Sequence, residues 1–276
     1  MSSWRDLIRD AGIPQRDAEL LLLHCLQRDR DWLYSTGDEP VQDTALKHFD
    51  RCVKLRSSGV PIAYITGTRE FWSLELEVSS SVLIPRSDTE LLVAQALERS
   101  IHLPKQVLDL GTGSGAVALA LAREWQQRVD DATACSVTAV DRSEDALAVA
   151  RRNGTRLGLT VEWLQSDWFS ALAGRRWPLI VSNPPYIADD DPHLSQGDLP
   201  AEPLVALVSG QDGLDALRRI ISDAPQHMEA GGWLLLEHGW NQADAVRGLM
   251  ANRGFQQVSS YRDLAGHERV TEGQWR

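Results

Sequence analysis

The sequence predicts a doubly wound α/β fold with a mostly parallel sheet, preceded by a small helical bundle. Three observations predict it. Helical periodicity fills residues 1–68, period-two patterning replaces it immediately afterwards, and from Val107 onward short apolar strands alternate with helices.

In the first segment Trp4, Leu7, Ile8 and Ala11, then Ala18, Leu21, Leu22, Cys25 and Leu26, then Ala45, Leu46, Phe49 and Val53 recur at helical spacing. Pro14 suits a first helical turn and Gly59 a helix end, so four or five short helices are expected. Leu74, Leu76 and Val78 then alternate with polar residues before a turn at Ser79 to Ser81 and the run Val82-Leu83-Ile84, which reads as a β-hairpin. The expected organisation is a helical domain at 1–68, a hairpin linker at 69–84 and a larger domain at 85–276.

Within the larger domain Ser87-Asp88-Thr89-Glu90 fits a capping box that starts a helix through Leu91, Leu92, Ala94 and Ala96. Strands are expected at Val107–Leu110, Val137–Val140, Val161–Leu164, Leu179–Val181 and Trp233–Leu236, with helices beginning at Ala116, Glu144, Leu214 and Ala243. Ligands of such sheets bind beyond the carboxyl ends of the strands, so the residues just after each strand are the candidate site.

Composition narrows the partners. A net charge of -11 disfavours non-specific phosphate binding, which needs clustered Lys and Arg. The first 68 residues carry nine basic against ten acidic groups, so nearly all of this charge falls on the larger domain. No apolar run reaches the length of a membrane span and the first residues lack a signal-peptide layout, so a cytoplasmic, monomeric protein without membrane contact is expected. Cys25, Cys52 and Cys135 are far apart in sequence, and the seven histidines show no ligand spacing, so no metal is expected.

The first strand runs through Asp109 and Leu110 into Gly111-Thr112-Gly113-Ser114-Gly115 and then directly into an Ala- and Leu-rich helix. Glycines permit a sharp turn and close ligand approach, and the helix start offers free N–H groups. The spacing is G-x-G-x-G, not the G-x-G-x-x-G of a dinucleotide site. Asp141 closes the second strand, where a carboxylate can accept both ribose hydroxyls. Ser166-Asp167-Trp168-Phe169 follows the third, with a carboxylate for an exocyclic amine and a ring to pack on adenine. Together these describe an adenosine site with no phosphate demand, which S-adenosylmethionine fits.

The fourth strand ends in Asn183-Pro184-Pro185-Tyr186. Two prolines stiffen the turn and remove donors, leaving carbonyls and the Asn183 amide oxygen as acceptors. Such a turn can hold a planar NH2 by both hydrogens, from Asn183 and the Pro184 carbonyl, with Tyr186 packed on the planar group. Its nitrogen face is then directed at a methyl donor. An adenine amine and a glutamine amide both meet this description.

The chain resembles the bacterial release factor glutamine methyltransferases over nearly its whole length. The resemblance is carried by Glu70-Phe71-Trp72, Leu83-Ile84-Pro85-Arg86, Asp88-Thr89-Glu90, the loop from Asp109 to Gly115, Asp167-Trp168-Phe169, Asn183-Pro184-Pro185-Tyr186-Ile187 and Leu235-Leu236-Glu237-His238-Gly239. It implies a Rossmann-like class I methyltransferase fold and an enzyme that methylates the side-chain amide of the glutamine in the Gly-Gly-Gln motif of peptide chain release factors, modulating translation termination. It also implies cofactor contacts at Gly111 to Gly115, Asp141, Trp168 and Asn183, glutamine contacts across Asn183 to Tyr186, and release factor recognition by the helical domain. Ser87 stands where many relatives carry proline, and Glu124 to Ser136 is a longer segment than usual. A ribosomal-protein glutamine methyltransferase would share the catalytic domain, but the helical domain matches the release factor type. A DNA adenine methyltransferase would share the Asn-Pro-Pro-Tyr turn, but this chain lacks a basic stripe and a base-flipping recognition domain.

Overall fold

A computed structural model describes residues 3–36, 43–103, 105–128 and 135–276. Residues 129–134 of the longer segment noted above lie outside the described residues. The chain forms two compact units, Met1–Thr68 with Ser195–Ala201, and Arg69–Leu194 with Glu202–Arg276.

The first unit contains α1 (Trp4–Asp10), α2 (Gln15–Leu26), α3 (Arg30–Thr36), α4 (Asp43–Ser57) and α5 (Ile62–Thr66). A reciprocal cap starts α1: the Asp6 N–H donates to Ser3 Oγ at 3.2 Å and the Ser3 N–H to Asp6 Oδ2 at 3.1 Å. Pro14 is the N-cap of α2, one position ahead of the first turn in which its sequence context places it. Trp4, Ala18, Leu21, Leu22, Phe49 and Cys52 form the core. Arg56 closes the unit by pairing with Asp17 and with Asp198 of the 195–201 segment, each at 2.7 Å. Cys25 and Cys52, distant in sequence, meet here with sulfurs 3.7 Å apart.

The second unit opens with β1 (Thr68–Phe71) and β2 (Leu74–Glu77), a hairpin that is shorter and earlier than the alternation suggests. Its turn is Trp72-Ser73, both left-handed at φ 51° and 56°, as a type I′ hairpin turn requires. Val82 to Ile84 are not a strand. Val82 and Ile84 are buried, so the run is apolar for packing and not for pairing. The expected capping box is also absent. Ser87–Thr89 forms a short 3-10 turn ahead of α6 (Glu90–Arg99), and the Glu90 carboxylate accepts instead from the Trp72 N–H at 2.9 Å.

The sheet is built from β3 (Lys105–Leu110), β4 (Cys135–Asp141), β5 (Glu162–Gln165), β6 (Trp177–Ser182), β7 (Met228–Glu237), β8 (Gln256–Arg262) and β9 (Glu268–Gln274), in the order β5-β4-β3-β6-β7-β9-β8. The first five are mutually parallel, and β8 and β9 complete the edge antiparallel. Both faces are covered, which is why the strands read as continuous apolar runs. Val107, Val181 and Leu235 pack toward α6 and α7 (Ala116–Arg128). Leu108, Ile180 and Leu234 pack toward α9 (Asp215–Asp223) and α10 (Ala243–Arg253). Helix α8 (Glu144–Leu157) starts at a Ser143 cap and ends at left-handed Gly158. Among the described residues no helix is long and apolar enough to cross a membrane.

Sequence periodicity did not announce β8 and β9, because β9 buries polar residues. Thr271 and Glu272 are fully buried, and Glu272 is neutralised by Arg99 of α6, whose Nε donates at 2.8 Å while the guanidinium lies 4.1 Å from the Trp233 ring centroid. Removing one partner of such a pair strands the other charge. Glu272→Ala is expected to destabilise the protein by about 3 kcal/mol, read as a lowered urea midpoint with an unchanged denaturant slope.

Candidate active site

A cavity of about 600 Å³ opens at the carboxyl ends of β3, β4, β5 and β6. Of the residues singled out from sequence, Asp109, Gly111, Thr112, Gly113, Ser114, Asp141, Asp167, Trp168, Asn183 and Pro185 line it; Gly115, Pro184 and Tyr186 do not.

The glycine loop is held from beneath and from both sides. The Gly111 and Thr112 N–H groups both donate to the Val140 carbonyl at 2.9 Å, tying the loop to the neighbouring strand end. Asp109 is buried, and its Oδ2 accepts from the Thr112 hydroxyl at 2.6 Å. Burial pushes the Asp109 carboxyl up to about 7 against the opposing effect of that bond. Gly115 serves packing: at φ 85° a Cβ would stand 3.0 Å from the Trp163 ring and 3.1 Å from Leu119. Buried Asn153 of α8 donates to the Ser114 carbonyl and accepts from the Glu77 N–H, at 3.0 and 2.6 Å, so β2 is fastened to the loop.

Asp141 spends one lone pair of each oxygen on the protein. Oδ2 accepts from the Gly113 N–H and Oδ1 from the Ser143 N–H, both at 2.9 Å. Burial raises its pKa despite these bonds. A carboxylate has about four acceptor positions, so two remain for a vicinal diol. Trp168 is left-handed at φ 52°, and a Cβ built on Gly111 would sit 3.5 Å from its ring, so the indole lies over the loop. Asp167 is exposed beside it, its own N–H donating to Ser170 Oγ at 3.1 Å.

The Asn183–Tyr186 turn is fastened at three points that sequence reasoning missed. The Asn183 Nδ2 donates to Thr89 Oγ1 at 3.0 Å, which turns Oδ1 of the amide the other way. The Tyr186 carbonyl accepts from Gln242 Nε2 at 2.9 Å, and Gly213 passes so close that a Cβ there would meet that carbonyl oxygen at 2.2 Å. Ile187 then pairs with Leu207 and Ser209, its N–H donating to the Leu207 carbonyl and its carbonyl accepting from the Ser209 N–H, each at 2.9 Å. This brings residues 203–206 to the cavity wall. Buried Glu202 fixes that wall by accepting from the Ile84 N–H at 3.1 Å and pairing with Arg86. Distant side chains that converge only in the fold leave no local pattern, and Thr89 reads in sequence as one more polar residue between Asp88 and Glu90.

Behind the turn lies Glu237, 1% exposed. The Tyr186 hydroxyl donates to its Oε1 at 3.5 Å, and Oε2 has no hydrogen-bond partner among the described residues. Burial pushes this carboxyl up to about 7, opposed by the nearby Thr89 hydroxyl and by Arg269. Burial, then Glu237, raises the Tyr186 phenol.

Comparison with known proteins gives the following. Residues 1–67 match the PrmC N-terminal domain and residues 86–197 the methyltransferase small domain. A release factor glutamine methyltransferase of Xylella fastidiosa is 51% identical over 263 residues, covering 95% of this chain and 93% of that protein. One of Escherichia coli is 48% identical over 263 residues, covering 95% and 92%. Among solved structures, the 16S rRNA N2 G1207 methyltransferase of T. thermophilus, in complex with AdoMet and guanosine, has a TM-score of 0.51 at 21% identity, covering 76% of this chain and 50% of that one. That last likeness is one of fold.

The folded carboxyls Asp109 and Glu237 bind protons more tightly than an unfolded carboxyl at about 4. Between pH 4 and 7 the folded state therefore holds more protons, and stability falls as pH rises through this window. Urea unfolding of the ligand-free protein is expected to show lower stability at pH 8 than at pH 5.5, and Glu237→Gln is expected to flatten that slope; an unchanged slope in the variant would contradict the assignment.

Proposed function

This chain belongs to the release factor glutamine methyltransferases, and from that premise we propose that it transfers a methyl group from S-adenosylmethionine to the side-chain amide nitrogen of the glutamine in the Gly-Gly-Gln motif of peptide chain release factors. The observation that carries the reading is the commitment of Asn183 Nδ2 to Thr89, which leaves the amide oxygen as the group available to a substrate N–H.

The residues fit the cofactor. Asp141 keeps two acceptor positions for ribose hydroxyls, Asp167 offers an exposed carboxylate to an adenine amine, and Trp168 supplies an apolar face. Asp109, Thr112, Gly113 and Ser114 shape the floor. The cofactor supplies an electrophilic methyl group on a sulfonium.

Asn183 and Pro185 line the cavity, and the flanking Pro184 and Tyr186 do not; in the proposed complex Asn183 Oδ1 and the Pro184 carbonyl accept the two hydrogens of the glutamine NH2, while Pro185 and Tyr186 confine its plane. Holding both hydrogens in the plane directs the nitrogen face toward the methyl donor. Twisting the NH2 out of conjugation with its carbonyl raises the electron density on nitrogen. Orientation of this kind is worth about 7 kcal/mol or more in well-arranged cases. As the N–C bond forms the S–methyl bond would break, leaving S-adenosylhomocysteine, and the methylated nitrogen becomes acidic, so its proton departs afterwards to solvent without a dedicated base. The acidic charge of the chain supports a protein substrate over a nucleic acid.

The direct measurement incubates the enzyme with S-adenosylmethionine and purified release factors and maps the methyl group by mass spectrometry. A single methyl on the Gly-Gly-Gln glutamine is expected, and methylation elsewhere or none would sink the proposal. Asn183→Ala is expected to keep cofactor binding while losing about 100-fold or more in kcat, since misorientation alone costs about that much. Thr89→Val removes the acceptor for Asn183 Nδ2 at nearly constant volume; kcat is expected to fall about 5-fold with cofactor Kd unchanged, a hydrogen bond being worth about 1 kcal/mol, and Thr89→Ser to restore it.

A further inference from the structure

The helical unit gathers a second set of chemically capable side chains. Helix α2 carries His24 and Cys25 in its last turn, and α4 carries His48 and Cys52 four residues apart, a spacing that puts two side chains on one helix face. The ligand atoms of Cys25, His48 and Cys52 all lie within 4.8 Å of one another. The two sulfurs are 3.7 Å apart. A disulfide would bring them to about 2.0 Å. Two thiolates on one tetrahedral zinc-type ion, each about 2.3 Å from it, stand about 3.8 Å apart. His24 lies outside that three-residue set but beside it, its ring centroid 6.0 Å from that of His48 at an interplanar angle of 62°. Cys52 is buried, Cys25 and His24 are half-buried and His48 is exposed, so the cluster has a packed floor and a side open to solvent.

We propose that Cys25, Cys52 and His48, with His24 as the fourth ligand, form a mononuclear site for a thiophilic divalent cation of the zinc type. Two thiolates and two neutral imidazoles balance a divalent charge, and a tetrahedral Cys2His2 set suits an ion without geometric preference of its own. Uptake breaks two S–H bonds, forms two S–metal bonds and releases two protons to solvent, with no change of oxidation state. The ligands come in pairs from two helices and not from a C-x-x-C loop, so the spacing in sequence gives no sign of them. The bound ion would fasten α2 to α4, and its free energy of binding would add to the stability of the helical unit.

The test uses the full chain, reduced and stripped with a chelator, then titrated with Co2+ and followed by absorbance. An endpoint at one ion per chain is expected, with thiolate-to-cobalt charge transfer in the near ultraviolet, intense tetrahedral bands in the visible, and displacement by one equivalent of Zn2+. His48→Ala alters an exposed side chain, so its fold is expected to be intact by circular dichroism; loss of even an outer-shell partner costs about 10-fold or more in affinity, and at least that is expected here. Cys52→Ser should lose thiolate charge-transfer intensity, whereas Cys135→Ser, in β4 of the other unit, should titrate as the parent does. A weak octahedral spectrum without charge transfer, or His48→Ala titrating like the parent, overturns the proposal.

Discussion

The level ending of three parallel strands is the constraint on which the site depends. Leu110 of β3 lies opposite Val140 of β4 on one side and Ser182 of β6 on the other. The next residues, Gly111 and Asn183, therefore leave the sheet side by side, about 4.8 Å apart as neighbouring strands are. The strand order reverses between these two, so their following segments diverge and leave a crevice. Ser182 seals the seam, its hydroxyl donating to the Leu110 carbonyl at 2.7 Å from a fully buried position. A slip of one residue in this register would separate the glycine loop from the Asn183 turn and exchange the faces of β3.

Keeping polar chain ends rigid at a buried seam requires partners for every polar atom, and these partners set the shape of the cavity. The Val140 carbonyl takes two N–H groups of the glycine loop, Asn153 takes Ser114, and Gln242 takes Tyr186. Each bond recruits a distant element: α8 through Asn153, the start of α10 through Gln242, and the segment before α6 through Thr89. The elements that look like scaffolding thus fix the orientation of the atoms that face the ligand. Gly213 shows how tight this is, since the Tyr186 carbonyl oxygen beside it leaves no room for a methyl group.

How much of this was legible follows from the range of each interaction. Strands β3, β4, β6 and β7, and the helices after them, were readable because burial on both faces writes a continuous apolar run. The places of Asp141 and Asn183 at the cavity were readable because the one closes and the other directly follows such a run, and that of Trp168 because it comes just after the short β5. The hairpin was misplaced because Val82 and Ile84 are apolar without being paired, while the true turn uses Trp72 and Ser73 in place of the Asn and Gly that usually mark it. Strands β8 and β9 were missed because Glu272 and Thr271 are buried through Arg99 and hydroxyl contacts and break the alternation. Thr89, Glu202, Gln242 and the Cys25–Cys52 pair were unreadable for one reason: each acts on a residue dozens of positions away.

The titratable side chains that line the cavity bear on the chemistry. Among the described residues these are Asp109, Asp141, Asp167, Asp215, Arg86, Arg142 and Arg219, with no histidine, cysteine or lysine. Asp109 is shifted toward neutrality, but it is bound to Thr112 beneath the loop, and Glu237, shifted similarly, does not line the cavity. A reaction needing a strong base at the outset would find none in place. An amide nitrogen that loses its proton only after gaining carbon makes no such demand. What it does demand is a fixed plane and two acceptors, and in the function proposed above these come from a turn with two prolines, strapped by Thr89 and Gln242.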